Sequence, residues 1–61
     1  MNYKNFNITA QVYETTDKSK QTLLINQEIN TNDKESAIIK FTNYYLLPDY
    51  KLIKILSVEE F

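Results

Sequence analysis

The sequence predicts a single small α+β domain of ββαβ order, a three-stranded, mainly antiparallel sheet in the order 2-1-3 with one helix packed on one face. Three observations carry this prediction. Two stretches alternate apolar and polar residues with period two, as half-buried strands do. A marked helix start follows them, and after the single proline comes a short apolar run that reads as a further strand. A crossover that skips the first strand, with the right-handed connection such units favour, then puts the last strand beside the first.

Residues 6–13 form the first strand, with Phe6, Ile8, Ala10 and Val12 on one side and Asn7, Thr9, Gln11 and Tyr13 on the other. The polar run 14–20 is a hairpin tip with turn-forming residues but no glycine, so a left-handed position falls to Asp17 or another polar residue. Residues 22–29 are the second strand, with Leu23, Ile25 and Ile29 on one face and Gln27 as the exception. Setting Val12 against Leu23 aligns Ala10 with Ile25, Ile8 with Gln27 and Phe6 with Ile29. That register gathers the hairpin's apolar residues, Leu24 and Tyr13 excepted, on one side. Gln27 is then a buried-edge amide bonded to nearby backbone rather than a ligand contact.

A helix over 33–46 is expected next, with Asn32 as its cap and Glu35 closing a capping box. It ends ahead of Pro48, which disfavours helical geometry in the residue before it. Ala37, Phe41 and Tyr45, flanked by Ile38 and Tyr44, make the stripe that covers the sheet. At about 100° per residue, Ile39 and Leu46 project away from that stripe as a second, weaker apolar strip and a candidate partner contact; the alternative is that Leu46 tucks under the Leu47-Pro48 turn and Ile39 is a single exposed apolar residue. The last strand is residues 51–58. Turning Ile53 and Ile55 inward avoids burying Lys54, and leaves Leu52, Lys54, Leu56 and Val58 outward with Tyr13 and Leu24. These six are the predicted partner-binding sheet face. The alternative cover for that face is the N-terminal segment 1–5 together with lysine stems.

Composition narrows the functional classes. The chain has 61 residues, no cysteine and no histidine, so no disulfide framework and none of the usual soft-metal ligands are expected. A domain this short buries only about 60% of its unfolded surface, and association is the remaining way to hide more. The eight carboxylates are scattered and no nucleophile is paired with a base, so no catalytic, metal or cofactor residue is assigned and an enzyme is not expected. Seven lysines against eight acids, with no arginine, disfavour nucleic acid as a partner. Base stacking of a single strand on the open sheet, with Tyr3 and Tyr13 as the platform, is the alternative reading.

No apolar run resembles a signal peptide or a membrane span, so a cytoplasmic location is expected. Asn, Lys and Ile occur seven times each, as AT-rich codons would produce, which suggests a bacterium or its phage. The expected function is a protein-interaction module: a homodimer, or a phage or mobile-element accessory protein that binds and inhibits a bacterial defence protein such as a CRISPR nuclease. Its surplus of apolar side chains carries that expectation. An outward patch of roughly 300 Å² would be worth about 7 kcal/mol if removed from water, before the costs of association.

Overall fold

A computed structural model describes residues 3–61. Its elements are β1 (Lys4–Glu14), β2 (Leu23–Thr31), α1 (Lys34–Lys40), which continues as a π-helical turn over Phe41–Leu46, and β3 (Tyr50–Glu60). The strands form one sheet in the order β2-β1-β3, and both outer strands run antiparallel to β1. The expected ββαβ order and 2-1-3 sheet are what the chain adopts.

The hairpin register is the one that the alternation requires. Val12 lies opposite Leu23, Ala10 opposite Ile25, Ile8 opposite Gln27 and Phe6 opposite Ile29. Phe6, Ile8, Ala10, Val12 and Ile29 are all buried on the helix side. A slip of one residue would turn this entire row to solvent, so burial enforces the pairing. Gln27 bonds locally, its side-chain amide donating to the Glu28 carbonyl at 3.2 Å.

At the hairpin tip the left-handed position falls, as expected, to a polar residue of the run, Lys20, with φ 53°. Asp17 serves as an acceptor. Its carboxylate takes hydrogen bonds from the Ser19 hydroxyl at 2.7 Å and from the backbone N–H groups of Ser19 and Gln21 at 3.0 and 3.1 Å. With those residues gathered around one carboxylate, the chain reverses just after them. Lys20 in turn lies 5.9 Å from the centre of the Tyr13 ring, within reach of a cation–π contact.

The helix begins one residue later than expected. Asp33 is the cap, accepting from the Ser36 N–H at 2.7 Å, and neither Asn32 nor a return bond from Glu35 closes a capping box. A carboxylate is the stronger acceptor for the unpaired N–H groups at a positive helix end, which favours Asp33 over the neighbouring amide.

The Ser19 hydroxyl and backbone bonds hold the Asp17 carboxyl below its ordinary value of 3.8, and the Ser36 bonds do the same for Asp33. A carboxyl with a depressed folded-state pKa lends stability that is complete above the unfolded value and lost as pH falls through the folded one. Acid titration of the chain should therefore show a declining melting temperature below about pH 4. In the Asp17→Asn/Asp33→Asn variant, which retains acceptors but cannot titrate at these positions, that acid limb should be shallower. An identical acid limb in variant and parent would remove these two carboxyls as its cause.

The helix also departs from the expected stripe. Over Phe41–Leu46 it opens into a π turn, in which residues five apart share a face. Phe41 is therefore joined in the core by Leu46, 2% exposed, while Tyr45 is 49% exposed and Tyr44 stands in solvent. This corrects the expected inward places of Tyr44 and Tyr45, and of the two readings of Leu46 it is the inward one that holds. A buried tyrosine needs a partner for its hydroxyl, whereas leucine fills the same space without a polar atom. The Thr42 hydroxyl also donates to the Ile38 and Ile39 carbonyls, both at 3.1 Å, competing for the acceptors that a regular helix would use. Leu47 is extended (φ −81°, ψ 146°), as a residue before proline prefers, and its peptide bond to Pro48 is cis.

Candidate protein-binding site

β3 is an outer strand of the sheet and pairs with β1 along one edge only. Its register contains two irregularities. Leu52 lies opposite Val12 and Lys54 opposite Gln11, which leaves Ile53 as an extra residue. Ile55 lies opposite Ala10 and Ser57 opposite Thr9, which leaves Leu56 as a second. Each extra residue breaks the simple alternation, so the positions set against the buried row of β1 are Leu52, Ile55 and Val58, spaced by three rather than two. The two bulges keep Lys54 away from the core and bring three apolar residues to the helix side.

This arrangement corrects the expected faces of the last strand. Val58 packs against the core opposite Ile8 and is absent from the outer face. Leu52, opposite Val12, sits at the rim of the helix side and is 38% exposed. Ile53, expected inward, is 47% exposed at the first bulge, and Leu56 is 44% exposed at the second. Ile55 packs inward as expected.

The outer face keeps Tyr13, Leu24 and Lys54 together near the hairpin end. Leu24 and Lys54 flank Gln11 from either side, and Tyr13 is the next β1 residue on that face. The rest of the face is polar. The Asn26 amide donates to the Thr9 hydroxyl at 2.8 Å, and the Asn30 amide donates to Asn5 Oδ1 at 2.8 Å. Such cross-strand polar pairs suit a face in contact with water. Asn7 sits between Glu28 and Glu59 with its Oδ1 buried and, among the described residues, without a hydrogen-bond partner. Of the segment considered as a cover, Lys4 and Asn5 run within β1 and Tyr3 is exposed; Met1 and Asn2 lie outside the described residues.

The apolar surface thus lies along the β3 edge rather than across a sheet face. Leu52, Ile53 and Leu56 are exposed on one strand whose outer edge pairs with no other strand among the described residues. Such an edge offers a row of unpaired N–H and C=O groups beside side chains that gain from burial. Charge is arranged along it too, with Lys51 and Lys54 toward one end and Glu59 and Glu60 at the other. Glu60 has a loose partner in Lys4 at 3.8 Å, an exposed pair worth little in stability. Ile53 escaped the sequence reading because a bulge leaves no mark in an apolar run.

The helix supplies a second, smaller feature. Ile39 is exposed as expected, and the π turn brings Tyr44, five residues on, toward the same side. Together with Tyr3 and Lys40 they border an open hollow of about 370 Å³. A hollow of about 240 Å³ lies at the other end of the domain, between Glu14 and Tyr50. Both are open to solvent, unlike the enclosed clefts that hold small ligands. Among the described residues, no group of three or more histidine, cysteine, aspartate or glutamate residues is placed to hold a metal, and no helix is long and apolar enough to cross a membrane. No family model, curated protein or solved structure matches the chain.

Proposed function

We propose that this chain is a protein-interaction module that holds a protein partner along the free edge of β3. The observation that carries the reading is the coincidence, on one eleven-residue outer strand, of an uncovered edge with three exposed apolar residues, Leu52, Ile53 and Leu56. An added strand would satisfy the backbone groups and cover these side chains in one step. Tyr13, Leu24 and Lys54 extend the contact onto the outer face of the sheet. The finer reading, drawn from small size and AT-rich composition, is a cytoplasmic inhibitor of phage type that occludes a bacterial host protein.

The test compares the parent chain with an Ile53→Lys/Leu56→Lys variant, whose substitutions fall at exposed bulge positions and leave the core intact. Both are assayed for self-association and used as bait in a bacterial lysate. The expected result is a stoichiometric partner, either a second copy or one host protein, whose binding falls at least tenfold in the variant. A parent chain that neither self-associates nor retains a partner overturns the proposal, as does a partner held equally well by the variant.

A further inference from the structure

We infer that the partner at this edge is the β3 strand of a second copy, paired antiparallel about a two-fold axis through Ile55. The inference rests on the β3 edge being the interaction site and adds the identity of its occupant. It follows from the way residues are distributed along the strand. With Ile55 on the axis, Leu52 meets Val58 of the second copy, and Lys51 meets Glu59 of the second copy. Each of these contacts occurs twice by symmetry.

The faces agree with this pairing. Leu52, Ile55 and Val58 lie opposite Val12, Ala10 and Ile8, all on the helix side. Lys51 and Glu59 lie opposite Tyr13 and Asn7, both on the outer side. Leu52 and Val58 therefore meet on the helix side of the joined sheet and Lys51 and Glu59 on the outer side, while Ile53 faces Ser57, Lys54 faces Leu56 and Tyr50 faces Glu60. The three-residue spacing created by the bulges is what makes the inward set symmetric about Ile55.

Charge also selects the orientation. Parallel, in-register pairing would place Lys51 on Lys51, Lys54 on Lys54 and Glu59 on Glu59, and like charges directly opposite are destabilising. Lysines and bulges commonly guard an outer strand against indiscriminate pairing. On β3 they oppose every orientation in which the lysine end does not meet the acidic end. β2, the other outer strand, has Glu28 as its single charged residue and offers itself no such complement. The product is one continuous six-stranded sheet with the two β3 strands at its centre.

The experiment is a charge exchange read by sedimentation equilibrium of the full chain. Lys51→Glu and Glu59→Lys alone should each weaken self-association about tenfold, because two attractive pairs become two repulsive ones. The Lys51→Glu/Glu59→Lys double variant should regain the parent affinity, as should an equimolar mixture of the two single variants. Far-UV circular dichroism checks that each variant keeps the fold, since both side chains are exposed. A parent that remains monomeric at millimolar concentration overturns the self-pairing, and edge-dependent capture of another protein would then leave the broader proposal standing. A dimer indifferent to all four arrangements overturns this register.

Discussion

Phe41→Ala should leave this chain largely unfolded at 25 °C, with a loss of about 3–5 kcal/mol in urea denaturation. Phe41 is wholly buried and belongs to the cluster formed by Phe6, Ile8, Ala10, Val12, Ile29, Ala37 and Leu46. It is the largest fully buried side chain of the domain. One sheet and a short helical segment have little material with which to close the space that its ring would vacate, so the removed contacts are not replaced. Domains of this size hold only several kcal/mol in reserve, and a loss of that order consumes most of it. Phe61→Ala is the matched control. Phe61 is exposed beyond the end of β3, and its removal should shift the urea midpoint little. Equal effects at the two positions would contradict the placement of the core.

The second large effect separates the π turn from a regular helix. Leu46→Ala should cost about 2–5 kcal/mol, whereas Tyr45→Ala should cost less than about 1 kcal/mol. In an uninterrupted α-helix the order would be reversed, because Tyr45 is the residue four positions after Phe41 and would share its face. The π turn moves that role to the residue five positions on. Urea denaturation of the two variants decides between the geometries, and a larger loss at Tyr45 than at Leu46 would exclude the one described here.

These two residues also show where a reading of the sequence stops. The hairpin register was legible down to the partner of each inward residue, although the pairing runs two residues further at the open end, to Lys4 and Thr31. With alternation broken only at Gln27, a one-residue slip would separate Phe6, Ile8, Ala10 and Val12 from Leu23, Ile25 and Ile29. The end of the helix was legible from Pro48, but its cap was displaced from Asn32 to Asp33 because adjacent polar residues both qualify as acceptors. Leu46 looked outward because a period of 3.6 was assumed to hold through the final turn. Val58 looked outward because a period of two was assumed to hold through β3.

The candidate site inherits the same division. Lys54 and Leu56 were identifiable as outward, and Tyr13 and Leu24 do share the outer face, but Leu52 lies on the helix side opposite Val12. Ile53 was not identifiable, and neither was the location of the apolar surface on an edge rather than a face. The outer face is largely amide, hydroxyl and charge, and its Asn26–Thr9 and Asn30–Asn5 bonds become visible only once the strands are paired.

The amino-acid pattern settles what depends on unbroken periodicity: two strands and their mutual register, a helix bounded by acidic residues and a proline, and a third strand to follow. Tertiary packing decides what depends on interrupted periodicity, namely the two extra residues in β3 and the extra residue in the last helical turn. The physical reason is common to both cases. An insertion of this kind has little local preference of its own, and is stabilised by the side chains it delivers across space, Leu46 to Phe41, and Ile55 and Val58 to Ala10 and Ile8.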